Sequence, residues 1–286
     1  MSIGGILTAM VTPFDGAGAL SEDRAAALMR HLLDHGSDGL VLAGTTGESS
    51  TLDDEEKLRL WEVGVEVCGG QRIIAGTGSN DTRHTVELTE RAADTGVGAV
   101  LVVTPYYNKP NRRGLVAHFQ AAAGATGLPV IIYNIPSRSV IDLPNDLLAE
   151  LARIDNVVAV KQARYEDCTP IEGLDLLAGN DDMLAPVLDM GGTGGILVAS
   201  HLASGQVRRM IDEPGRRAEI AGSLEPLLEA LAVAPPVVAV KAALGLLGHD
   251  VGGVRLPMVE ASEDEVAHIR TALEARHLLE PAGASR

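Results

Sequence analysis

Aromatic side chains are scarce in this chain: one Trp, four Tyr and two Phe among 286 residues. Aliphatic and alanine side chains must therefore fill its core, and a hydrophobic content of 46% supplies them. Cysteine is scarcer still. Cys68 and Cys168 make no metal or redox spacing and read as idle thiols in a reducing compartment. Basic residues are outnumbered, 23 Lys and Arg against 39 Asp and Glu, for a formal net charge of −16. Such a field repels polyanions, which argues against nucleic acid and anionic membrane as partners. An anionic substrate would need a local cationic anchor. No uninterrupted apolar run reaches the roughly 18–20 residues of a membrane helix. The opening "MSIGGILTAMVTPF" is apolar but lacks a basic start and a cleavage site, so it does not read as a signal peptide. These absences imply a cytoplasmic protein.

Short aliphatic runs recur instead, each bounded by glycine, proline or a polar turn. Strands are expected at 3–11, 39–43, 72–75, 99–104, 130–133, 157–161, 176–178 and 195–199. Most are apolar without alternation, as in parallel strands buried on both faces. Helical patterns fall between them. "SEDRAAALMRHLLDHG" opens on a Ser cap and an acidic first turn and stops at Gly36. "DDEEKLRLWEVGVEVCGG" and "DTRHTVELTERAADTG" repeat that design. Eight strands alternating with helices predict an α/β fold, a (β/α)8 TIM barrel, over residues 1–215. Residues 216–286 hold more helix than one barrel unit requires and read as a helical C-terminal extension.

Barrels of this kind place their sites at the C-terminal ends of the strands. Five chemically unusual segments converge on that rim: "GTTGE" (44–48), "TPYYNKP" (104–110), "YNIPSRS" (133–139), Lys161, and "GND" (179–181). The pentapeptide "VVAVK" occurs at 157–161 and again at 237–241, and the two copies differ in context. Lys161 ends a β-branched run of strand length among apolar neighbours. Burial there disfavours the ammonium, and a neutral amine is a nucleophile toward a carbonyl carbon. A lysine whose head reaches water or pairs with a carboxylate fits the same pattern. Lys241 follows "APP" and precedes "AALGLLG", which reads as an amphipathic helix of the extension. Lys161 is the chemical candidate.

Thr45 and Thr46, in a glycine turn, offer hydroxyls and backbone N–H groups to a carboxylate. Tyr133, one strand from Lys161, is placed to move protons. Arg138, beyond Pro136, can grip a second carboxylate through two parallel hydrogen bonds. Turn chemistry, a structural tyrosine and a solvated loop charge are the plainer readings of these residues. His31 and His35, spaced i, i+4, have no third ligand and read as a polar helix face. "GGTGG" (191–195) reads as close backbone approach more than as a phosphate loop.

"GTTGES", "TPYYNKP", "YNIPSRS", "VVAVKQA" and the late "RLP" (255–257) together resemble the dihydrodipicolinate synthases. More broadly they resemble the pyruvate-dependent Schiff-base aldolases that include N-acetylneuraminate lyase. The similarity runs from the first strand to the C-terminal helices. It implies that Lys161 forms an imine with pyruvate, whose enamine attacks L-aspartate-4-semialdehyde, with no metal and no organic cofactor. It further implies that Thr46 holds the pyruvate carboxylate and that Tyr133, Thr45 and Tyr107 relay protons. Tyr107 would reach across from a neighbouring subunit of a homo-oligomer, a tetramer built as a dimer of dimers. Arg138 would receive the semialdehyde carboxylate, and main-chain groups at Gly179 and Ile196 would complete the pocket.

Three departures bear on substrate choice: Gln162 where many members carry glutamate, "AGNDD" with Asn180, and Leu197, which could reshape the pocket beside Ile196. An aldolase or dehydratase acting on a 2-keto-3-deoxy sugar acid remains an alternative, and a non-catalytic carboxylate-binding barrel is a second. Feedback by L-lysine is expected to be weak or absent. Ser49, Asn80 and Tyr106 match the inhibitor site of lysine-sensitive members. His84 stands where those carry glutamate, and Lys57 where they often carry histidine.

Overall fold

Why a chain so poor in aromatics closes into a barrel is visible in the alternation along its strands. The computed structural model describes residues 3–279. Its strands are β1 (Gly5–Ala9), β2 (Gly39–Leu42), β3 (Ile73–Gly76), β4 (Ala99–Val103), β5 (Val130–Asn134), β6 (Val157–Gln162), β7 (Asp175–Ala178) and β8 (Gly194–Leu197). They pair in parallel and in order, and β8 returns to β1 to close the ring. Leu7 and Ala9, Ala99 and Leu101, Ile131 and Tyr133, and Ala159 and Leu177 belong to an inner cluster that fills the barrel. The intervening residues, such as Ile6, Val100, Ile132 and Val160, belong to a larger outer cluster beneath the helices. A period of two thus divides every strand between two cores. Lys161 lies in phase with Ala159 and Ala163 of the inner set.

The surrounding helices are α1 (Glu22–Asp34), α2 (Asp54–Cys68), α3 (Thr82–Asp94), α4 (Arg112–Gly124), α5 (Pro136–Ser139), α6 (Asn145–Leu151), α7 (Leu184–Asp189) and α8 (Ser200–Asp212). Asp53 and Glu56 form a reciprocal capping box on α2, and the Asp81 side chain caps α3. Ser21 does stand at the start of α1, but its hydroxyl makes no capping bond, so the acidic Glu22 and Asp23 carry that end. Among the described residues no single helix is long and apolar enough to cross a membrane.

One crossover departs from the expected alternation. Residues 163–174, between β6 and β7, contain no helix. "ARYEDCTPIEGL" has no apolar repeat at helical spacing, and Pro170 and Gly173 interrupt it. Its half-buried Cys168 and Ile171 pack on the outer core in place of a helix face. The barrel is followed by α9 (Arg217–Leu231), α10 (Pro236–Leu246) and α11 (Glu263–Ala275). The outer limits of the expected two-part division, residues 1 and 286, lie outside the described residues.

The glycines of 191–195 sit where β8 begins, at the end of the barrel opposite Lys161. A Cβ on Gly194, whose φ is +155°, would stand 2.1 Å from the Gly5 carbonyl oxygen. Close strand approach accounts for that segment.

Candidate active site

Both repeated lysines are buried, Lys161 at 6% exposure and Lys241 at 5%. Their partners separate them. Lys241, on α10, donates to Glu48 Oε1 at 2.7 Å and to the Gly253 carbonyl at 2.6 Å. Lys161 has no hydrogen-bond or ion-pair partner among the described residues. Its Nζ lies 4.1 Å from the ring centroid of Tyr133, with which it is paired across β5 and β6. The strand period turns both side chains into the barrel mouth, so their proximity follows from register alone.

The turn after β2 supplies the hydroxyls. Ala43 and Glu48, both with left-handed φ, bound it at 53° and 57°. Thr46 is buried and Thr45 is exposed. Thr45 and Tyr133 line one small cavity of about 30 Å³, with Gly44, Ser49, Leu101 and Val103. That volume suffices for about one water molecule. Tyr107 is not among its lining residues; it is 86% exposed, with φ of 73°.

Arg138 lies on α5, the single turn that Pro136 begins. The Ser139 hydroxyl, held between the Ile135 and Ile141 carbonyls, fixes that turn. The Arg138 side chain is exposed and has no acidic partner among the described residues. Gly179 follows β7, and its N–H is taken by the Gln162 carbonyl at 2.8 Å. A Cβ there would meet that same oxygen at 2.7 Å, so only glycine fits. Ile196 is fully buried in the inner cluster.

The three departures do not touch the barrel interior alike. Leu197 points away from it, into the outer core, so the expectation that it reshapes the pocket is wrong; one residue of strand alternation separates it from Ile196. Gln162 is also out of phase with Lys161, and its Oε1 accepts from Asn134 at 3.0 Å. Asn180 contacts Met183 through its amide, at 3.4 Å.

Two acids that close the "GTTGE" and "GND" segments were given no role by the sequence. Glu48 is buried, and Asp181, half-buried, accepts from the N–H groups of Val198 and Ala199 at 3.0 and 2.9 Å. Burial holds the Asp181 carboxyl above its ordinary range, against those N–H groups and the charge of Lys161. Motif spacing could not reveal their partners, because those of Glu48 lie in the C-terminal extension and those of Asp181 lie just beyond β8.

The histidines remain apart from the site. His31 stacks on His35 and on His249, each at 4.1 Å between centroids. Burial and the neighbouring imidazoles press His31 down to about 4. Among the described residues, no group of three or more His, Cys, Asp or Glu is arranged to hold a metal ion.

Residues 2–276 match the model of the dihydrodipicolinate synthetase family. The 4-hydroxy-tetrahydrodipicolinate synthase of Desulforudis audaxviator is 45% identical, over 98% of this chain and 99% of that protein. The structure of the synthase from Cyanidioschyzon merolae with lysine bound superposes with a TM-score of 0.92 at 37% identity, covering 96% of this chain and 99% of the other. That of the chloride-inhibited synthase from Acinetobacter baumannii, complexed with pyruvate, gives 0.92 at 32% identity, over 97% and 100%.

Proposed function

The chain belongs to the dihydrodipicolinate synthetase family, and we propose that it works through an imine on Lys161. It is a lyase that condenses pyruvate with L-aspartate-4-semialdehyde to 4-hydroxy-tetrahydrodipicolinate, on the way to diaminopimelate and lysine. The observation that carries the imine is the contrast between two similarly buried lysines, of which Lys241 is ion-paired and Lys161 has no hydrogen-bonded or ion-paired acid among the described residues.

The Lys161 amine, in its neutral form, adds to the keto carbon of pyruvate, and the carbinolamine loses water to give the imine. Loss of a proton from the methyl carbon gives the enamine, whose carbon attacks the semialdehyde carbonyl. The amino group of the adduct then attacks the imine carbon. Ring closure expels the Lys161 amine. Thr46 and the adjoining N–H groups hold the pyruvate carboxylate, and Gly179 and Ile196 complete the pocket through their main chains. Tyr133 carries protons to and from the reacting oxygen and nitrogen, with Thr45 beside it.

Tyr107, exposed on its own subunit, completes the relay in a partner subunit. The working form is accordingly a homo-oligomer, a tetramer arranged as a dimer of dimers, in the cytoplasm. Among the described residues, those up to 215 form its catalytic barrel and 216–279 its helical extension. Comparing turnover of aspartate semialdehyde with that of 2-keto-3-deoxy sugar acids tests the substrate directly. Faster use of a sugar acid would overturn the proposal.

Arg138 reads out the second substrate. Its guanidinium, with no protein carboxylate among the described residues, is available to the semialdehyde. Arg138→Ala should raise the semialdehyde KM or lower kcat/KM about tenfold or more, leaving imine formation with pyruvate intact. Steady-state kinetics beside borohydride trapping measures both. Unchanged semialdehyde kinetics would remove Arg138 from the site.

L-Lysine should inhibit weakly or not at all. Ser49, Lys57, Asn80, His84 and Tyr106 line one cavity of about 280 Å³, together with Asp54. Asp54 accepts from His84 at 2.9 Å and from Lys57 at 3.2 Å. Burial raises its carboxyl, but those two hydrogen bonds prevail and hold it below the ordinary range. The carboxylate there already accepts from Lys57 and from the His84 ring, and an arriving ammonium would have to displace one of them. Initial rates titrated with L-lysine to millimolar concentration decide the matter. Half-inhibition below a millimolar would contradict it.

A further inference from the structure

The second "VVAVK" is not a peripheral copy of the first. We propose that Lys241 is a positioning residue, holding the Thr45–Thr46 turn in the shape that receives the pyruvate carboxylate; this rests on the reading of Thr46 given above. Lys241 reaches the turn from α10, outside the barrel, and grips Glu48 two residues beyond Thr46. The Lys241 and Glu48 side chains are each 4% exposed, and the pair lies beside the Phe14 ring, 4.2 Å from Nζ.

Every polar group of Glu48 is engaged. One carboxylate oxygen takes Lys241 Nζ, and the other takes the Arg255 N–H at 2.9 Å. Its own N–H donates to the Thr45 carbonyl at 3.1 Å. Its carbonyl accepts from the Thr51 N–H at 2.9 Å and the Thr51 hydroxyl at 3.1 Å. Thr12, on the other side, donates to the Gly47 carbonyl at 2.6 Å. A force on the Glu48 carboxylate is thus transmitted to Thr45 through one peptide unit and one hydrogen bond.

The backbone shows why a grip is needed. Glu48 has a left-handed φ, which a residue with a side chain adopts reluctantly. Such conformations persist where the surroundings over-determine them. A buried ion pair is by itself weak evidence for stability. Here the pair's distinguishing feature is its attachment to the turn that presents both threonines.

The test compares Lys241→Met, Glu48→Gln and the double variant with the wild-type full chain. The pyruvate concentration giving half-maximal borohydride trapping should rise about tenfold in Lys241→Met. The semialdehyde KM should move less than about threefold. Glu48→Gln should show a smaller shift of the same kind, and the double variant no more than the worse single one, since both remove one link. An unchanged pyruvate dependence in folded Lys241→Met would overturn the inference. So would an equal rise for both substrates, or additive single effects. If Lys241→Met does not fold, Glu48→Gln is judged by its own pyruvate-selective shift, whose absence overturns the inference. Failure of the wild type to trap pyruvate would instead bring down the Schiff-base reading beneath it.

Discussion

Lys161→Ala should lower kcat/KM by about 10⁴-fold or more, because no other amine is presented to the keto carbon. Borohydride with pyruvate should add one reduced adduct to the wild type, on the peptide bearing Lys161, and none to the variant. Lys241 should remain unmodified even in the variant. Its nitrogen is already held by Glu48 and the Gly253 carbonyl, over the Phe14 ring, and those partners keep it from adding to a carbonyl carbon. Deleting the Lys161 amine leaves no buried carboxylate stranded by an ion pair, so the variant should fold as the wild type does. An adduct mapped elsewhere, or none in the wild type, would sink the imine mechanism.

Tyr133→Phe should cost about 10²–10³ in kcat, the usual reach of a positioned acid–base group. The ring would stay, keeping its place beneath Lys161 and its packing in the inner cluster. Only the hydroxyl would be lost. The loss should therefore fall on the proton-transfer steps, with slower trapping at saturating pyruvate and little change in thermal stability. A variant that traps pyruvate at the wild-type rate would show that the protons travel by another route.

The barrel was legible because parallel strands covered on both faces produce aliphatic runs that turns punctuate. Their limits were less so. The first run reads as 3–11, yet the ladder spans only Gly5–Ala9, with Met10 and Val11 buried beyond it. An apolar run records burial, and burial outlasts pairing. Local context also separated the two lysines, since "APP" marks a helix start where a turn and a β-branched run mark a strand. What local context could not show was that Lys241 is as enclosed as Lys161, for its acid lies 193 positions away. The same distance effect hid the N–H groups that hold Asp181, 17 and 18 positions away, and the His84 ring on Asp54, 30 positions away. The misreading of Leu197 had a different cause. On a strand two adjacent residues belong to opposite cores, and sequence proximity to Ile196 was mistaken for spatial proximity.

The helix-free connection between β6 and β7 bears on how this chain tolerates change in length. Parallel neighbours need a return path of about a dozen residues or more, and residues 163–174 provide only that minimum. Lengthening such a path is cheap, about 0.6 kcal/mol for each doubling of a flexible loop. Shortening it would drag on the two strands that carry Lys161 and precede Gly179. The exposed turn at Glu166 and Asp167 is therefore a natural graft point for extra chain, while even small deletions between Ala163 and Leu174 would be felt in the barrel mouth. The joint is one-sided: it accepts insertion and resists contraction.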